Sequence, residues 1–159
     1  MTRSLPKEPR PQQPPNGLAT IKIDTRSKFS TNENTFLVEY FGAQLRVTHV
    51  TTRLTRILAI NFDRYITNGW NDYNRDSDIT YIAYTEIKRT AGSTITTTYD
   101  ALYGKKAVYI QFDREKETLE ASLNLFVLNA FEKLKLKVTG TIKGIEATTV
   151  PRHRTDVRT

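Results

Sequence analysis

The chain has no cysteine, which excludes a disulfide framework, a thiolate zinc site and a thiol nucleophile together. That usage is compatible with a reducing compartment. Histidine is almost as scarce, with only His49 and His153 available as conventional general bases. Long apolar runs are missing as well: the longest, Ile57 to Ile60 and Leu125 to Leu128, fall far short of the roughly 20 residues of a membrane-spanning helix. No amino-terminal apolar stretch resembles a signal peptide and no Asn-x-Ser/Thr sequon occurs, so a soluble protein, at most peripheral to a membrane, is expected. Neither a Gly-x-Gly-x-x-Gly fingerprint nor a complete Walker A motif is present.

What the chain does have is positive charge. Its 159 residues carry a formal net charge of +7 and a sequence pI near 9.7, which favours an anionic partner: nucleic acid, an anionic membrane face or an acidic protein. Five of the six prolines, Pro6, Pro9, Pro11, Pro14 and Pro15, fall within residues 1–17, among Arg3, Lys7, Glu8 and Arg10. Such a segment holds too little apolar surface to offset the entropy of ordering, and it is expected to be a disordered basic arm. Residues 151–159, with Arg152, Arg154 and Arg158 against Asp156, read as a second basic tether. Residues 18–150 between them have the length of one globular domain.

Within that domain, alternation predicts strands over Leu18–Asp24, Ile79–Lys88, Thr94–Tyr99, Ala107–Phe112 and Lys133–Ile145. Thr35–Phe41 and Gln44–Val50 suit a hairpin turned at Gly42-Ala43, while Thr25–Asn34 and Asn71–Asp78 read as polar loops. Two stretches carry both periods. In Thr51–Trp70, Leu54, Ile57, Leu58, Phe62, Tyr65 and Ile66 recur at helical spacing, with a strand around Ile57–Phe62 as the competing reading. In Thr118–Phe131, Leu119, Leu123, Phe126, Ala130 and Phe131 form a helical stripe, yet Leu119, Ala121, Leu123, Leu125 and Val127 alternate as a strand. The expectation is α+β, mainly antiparallel, with a sheet packed by one or two amphipathic helices. The alternative is an all-β jelly-roll-like sandwich.

The residues offer little for catalysis. His49 in Val-Thr-His-Val reads as a strand residue, and His153 among arginines as part of a basic patch. Asp72, Asp76 and Asp78 crowd one loop without the spacing of a calcium site. Tyr103-Gly104-Lys105-Lys106 lacks the rest of a phosphate loop, and no enzyme activity, metal or cofactor is expected. The cations are more suggestive. Arg53 and Arg56 lie one turn apart on the expected first helix, Lys88-Arg89 and Lys105-Lys106 sit at strand ends, and Lys133, Lys135 and Lys137 line one strand face opposite Leu134, Leu136 and Val138. With Arg152 and Arg154 they make up the candidate surface for nucleic acid or another anionic partner. A lysine row also serves to guard an exposed sheet edge, so the residue type alone does not decide its role.

This layout, a Pro-rich basic arm from Met1 to Gly17 ahead of a compact β-rich core with one expected amphipathic helix, no cysteine and a basic tail, resembles the matrix protein of plant rhabdoviruses, in particular the short cytorhabdovirus type. Animal members often carry a Pro-Pro-x-Tyr motif, whereas Pro14-Pro15 is followed here by Asn16-Gly17. The resemblance implies a self-associating structural protein that condenses viral nucleoprotein and bridges it to an anionic membrane, in the virion and the host cell cytoplasm. An RNA-binding viral coat protein or a silencing suppressor shares the same layout.

Overall fold

The computed structural model describes residues 16–24 and 27–149, and all of their regular elements are strands. In chain order these are β1 (Asn16–Ile23), β2 (Ser27–Thr31), β3 (Asn34–Glu39), β4 (Gly42–Val50), β5 (Leu54–Phe62), β6 (Gly69–Tyr73), β7 (Ile79–Thr90), β8 (Ser93–Ala101), β9 (Gly104–Asp113), β10 (Thr118–Asn129), β11 (Leu134–Glu146) and β12 (Thr148–Thr149). Among the described residues no helix is present and 75% of the structure is strand, which overturns the expected α+β fold; the all-β alternative fits. The sheet order is β12-β3-β4-β5-β7-β8-β10-β11-β1-β2, with β9 on β10 and β6 on β9. Most sheet neighbours are also neighbours in sequence, so the path is closer to an up-and-down meander than to the crossed connections of a jelly roll.

Both expected helices are strands for the same physical reason. β10 is paired on its two sides, with β11 along one edge and with β9 and then β8 along the other, so its backbone groups are satisfied without a helix. Leu119, Ala121, Leu123, Leu125 and Val127 are all buried, whereas Glu120, Asn124 and Phe126 face out: the two-residue period prevails over the helical stripe. β5 likewise lies between β4 and β7 and buries Leu58, Ile60 and Phe62. Thr51 caps no helix. It closes the β4–β5 turn, its N–H donating to the Leu54 carbonyl at 2.8 Å and its hydroxyl accepting the Leu54 N–H at 3.1 Å. Two expected loops also contain strand, β2 within Thr25–Asn34 and β6 at the start of Asn71–Asp78.

The sheet curls into a nearly closed barrel-like body whose interior is packed side chain to side chain. Phe36 stacks on Phe62 at 6.0 Å and meets Phe112 edge-on at 5.4 Å, while Ile21, Leu45, Ile110 and Leu119 fill the space around them. Closure is made at the β2–β3 corner. The buried Thr31 hydroxyl donates to the Thr48 carbonyl at 2.7 Å and accepts the Glu33 N–H at 3.0 Å, and Asn34 Nδ2 donates to the Thr31 carbonyl at 3.0 Å. From the other end, the chain leaves β11 through Ala147, and β12 then pairs in parallel with β3. β1 and β11 approach closely because Gly140 has no Cβ: one placed there would stand 2.5 Å from the Thr20 carbonyl oxygen.

Candidate nucleic-acid interface

The inward alternation of Ile21, Ile23, Leu125, Val127, Val138 and Ile142 turns the intervening side chains of β10, β11, β1 and β2 outward on one continuous face. Phe126 of β10 lies directly opposite Lys137 of β11, and Leu128 opposite Lys135. Both ammonium groups come to the Phe126 ring, Lys135 Nζ at 4.4 Å from its centroid and Lys137 Nζ at 5.9 Å. Further across, Thr139 is opposite Lys22, and Lys22 is directly opposite Lys28. Two cations placed face to face across neighbouring strands oppose folding, so this pair gains by meeting a negatively charged partner.

The face extends to the fork where β10 leaves β9 for β8. The chain crosses that gap at residues 102–104, with the Leu102 N–H donating to the Phe126 carbonyl at 2.8 Å. A shallow cavity of about 300 Å³ opens there, lined among others by Tyr103, Lys105, Asn124, Phe126 and Lys137. Tyr103 is exposed and is braced edge-on by Tyr73 at 5.2 Å. Two aromatic rings and two lysines thus border one opening, with Lys135, Lys22 and Lys28 beside it. Asp24, just past β1, accepts the Lys137 N–H at 3.1 Å at one end, and the carboxylates on the four strands, Glu120 and Glu146, stand toward the other.

The sequence-derived candidates divide on this geometry. Lys105, Lys135 and Lys137 come together. β11 pairs with β10 along this stretch, while on its other side β1 reaches only Val138 and the Asp24 N–H then meets the Lys137 carbonyl, so Lys137 stands at the last rung of a two-sided ladder and Lys135 beyond it. Lys133 falls outside the row, in the β10–β11 turn with φ of 54°. Lys106, exposed like Lys105, does not line the cavity beside Tyr103; its φ is 48°, and its N–H donates to Asp72 Oδ1 at 2.8 Å. Arg53 and Arg56 do not share a helix face. Arg53 is in the exposed β4–β5 turn, where its carbonyl accepts the Arg89 N–H at 2.8 Å, gathering Arg53, Lys88 and Arg89, with Lys88 lining a cavity shared with Asp24, Leu134 and Leu136. Arg56 instead faces the interior, its guanidinium 5.2 Å from the Phe29 ring centroid, which also stacks on His49 at 4.9 Å. Arg152 and Arg154 lie outside the described residues. Sequence reasoning missed Lys22, Lys28, Tyr103 and Phe126. The strand reading of Thr118–Phe131 pointed Phe126 outward, but nothing in the sequence announced the Lys22–Lys28 pairing, because β2 read as loop.

Beside Arg56, the inner face carries Tyr84, Glu86 and Tyr99. Burial first, and then the charge of Glu86, pushes the Tyr84 hydroxyl well above its ordinary range, with Arg56 opposing the shift. Among the described residues no group of three or more His, Cys, Asp or Glu converges to hold a metal ion. Nor is any helix among them long and apolar enough to cross a membrane. No family model, no curated protein and no solved structure matches the chain.

Proposed function

We propose that this is a non-enzymatic structural protein that holds single-stranded RNA along the outer face of β10, β11, β1 and β2, with the basic arm and tail adding sequence-independent attraction. The observation that carries the reading is the convergence of Lys135 and Lys137 on the exposed ring of Phe126, beside the cavity shared with Tyr103 and Lys105. Lysines there neutralise phosphates while the rings offer stacking surfaces that every base can use. Such a protein serves as a coat or as the nucleoprotein-condensing part of a matrix layer. The test is a gel shift with single-stranded RNA at several salt concentrations. Replacing Lys105, Lys135 and Lys137 together with Gln should flatten the log–log salt slope by about 2, at roughly 0.7 for each phosphate that is no longer neutralised. Unchanged affinity and slope in a folded triple variant would remove this face from the account.

A second reading, the membrane-bridging role of a matrix protein, is favoured by a different place. Tyr40 and Phe41 at the β3–β4 turn are 71% and 89% exposed, Tyr65 in the adjoining loop is 71% exposed, and the Arg64 guanidinium sits 5.1 Å from the Tyr65 ring. Aromatic tips with a neighbouring arginine suit an anionic lipid interface. Flotation with anionic liposomes separates the two readings. Flotation abolished by Phe41→Ser, with RNA affinity retained, would assign membrane contact to this end; no flotation at any salt would exclude it.

A further inference from the structure

We propose that the free edge of β8 pairs with β8 of a second copy, antiparallel about a two-fold axis through Ile95, making one continuous sheet across a homodimer. β8 is bonded to β7 along its whole length, but on its other side β10 reaches only Ala101 and Asp100. Ser93–Tyr99 therefore presents an edge without a strand partner, apart from the Thr98 carbonyl, which accepts from the Asn129 side chain. The segment reads Ser-Thr-Ile-Thr-Thr-Thr-Tyr: no charge, no proline, and an unbroken register with β7. Exposed edges ordinarily carry such interruptions, since a flat, β-branched, uncharged edge is a template for another strand. The sheet's other margins follow the rule. β2 spans five residues and carries Lys28, β6 pairs irregularly beyond Asn71, and β12 is two residues long.

The register follows from the hydrogen bonds. Asn129 Nδ2 already donates to the Thr98 carbonyl on the free side at 3.0 Å, so alternation directs the N–H and C=O of Thr96 and Thr94 to that same side. An axis at Ile95 sets Thr94 against Thr96 of the second copy for mutual hydrogen bonding and ends the ladder at Ser93 against Thr97, one residue short of the capped Thr98 carbonyl. It also brings the two Ile95 side chains, each 56% exposed, together at the centre. The incoming Ala91-Gly92 hairpin tip then meets the turn that carries Phe131, which is 99% exposed, and the match repeats by symmetry.

Charge selects a second copy as the occupant. The chain is basic overall, so most of its surface repels its own kind, and this uncharged strand is where two copies can approach. The nearest cations, Arg89 and Lys88, lie one strand back from the edge, opposite Thr94 and Ile95, with Lys88 level with the axis. The counterpart of Lys88 is then three strand spacings away, about 14 Å, beyond a screening length of about 8 Å at physiological salt.

The absence of native cysteine makes the test direct. In the full chain at high salt, where assembly bridged by a polyanion is screened, sedimentation equilibrium should give twice the 18.3 kDa chain mass at raised concentration. Ile95→Cys should oxidise to a covalent dimer, while a control cysteine on the outer face of β11, Thr141→Cys, should not. Ile95→Lys puts like charges on the axis, and Thr96→Pro removes a donor that β7 does not use; both should sediment at the single-chain mass with circular dichroism unchanged. A monomeric wild type at every concentration overturns the proposal. So does a dimer that persists in both variants, or equal cross-linking at positions 95 and 141.

Discussion

Tyr84 shows how one buried polar residue couples the body to pH. Its ring is enclosed beside Tyr99 at 5.7 Å, and desolvation holds the hydroxyl neutral above its ordinary value of 10.0. The unfolded chain ionises near that value while the folded one resists, so this contribution to stability is complete below pH 10.0 and is lost as pH rises toward the folded pKa. The loss should run at about 1.4 kcal/mol per pH unit for one such group. Tyr84→Phe should therefore make the alkaline fall in unfolding free energy shallower, measured by denaturant titration from neutral to strongly alkaline pH. The variant also removes a hydroxyl that lies beside the Arg56 guanidinium, which changes stability at all pH values, so the slope and not the absolute value is the readout. An unchanged slope would show that Tyr84 titrates alike in both states. None of this was legible in the sequence, where Tyr84 was one alternating tyrosine and Arg56 a candidate surface cation.

Legibility was better for isolated elements than for their pairing. β7, β8, β9 and β11 follow alternation closely enough to be placed from sequence, and the outward direction of Lys135 and Lys137 came with them. β10 and β5 were misplaced because leucine-rich segments satisfy both periods, and only pairing on both edges, a property of distant residues, decides between them. β2 was missed because Ser-Lys-Phe-Ser-Thr is short and polar and gains its place from β1 and the β2–β3 corner. The two periods of β10 make opposite forecasts for adjacent residues. Phe126→Asp should keep a cooperative melt and lose RNA affinity, since its ring is already 43% exposed. Leu125→Asp should abolish the melt, because an unpaired carboxylate at a position 4% exposed costs several kcal/mol. If the substitutions had the reverse effects, the face described for β10 would be wrong.

For the whole molecule, charge and folding are carried by different parts. The arm and tail each carry a formal +2, so only +3 of the chain's +7 belongs to residues 18–150. Removing residues 1–15 should leave the thermal transition cooperative, because that Pro-rich sequence contributes little apolar burial, while weakening RNA binding most at low salt. Calorimetry of the truncated chain is the check, and loss of the transition would make the arm part of the folding unit. Both charged extensions are joined to the body at one place: Asn16 opens β1 opposite Ile145, and β12 follows at once after Ala147. Tension applied between them would first act on the two-residue β12–β3 pairing and, once that is released, on the β1–β11 ladder as on a zipper, breaking its hydrogen bonds in succession from that end instead of shearing them together. A polymer gripped by both extensions and pulled taut would therefore lift the short β12 from β3 and then peel the β1–β11 seam, both at low force, before the long ladders β3–β4, β4–β5 and β9–β10 give way.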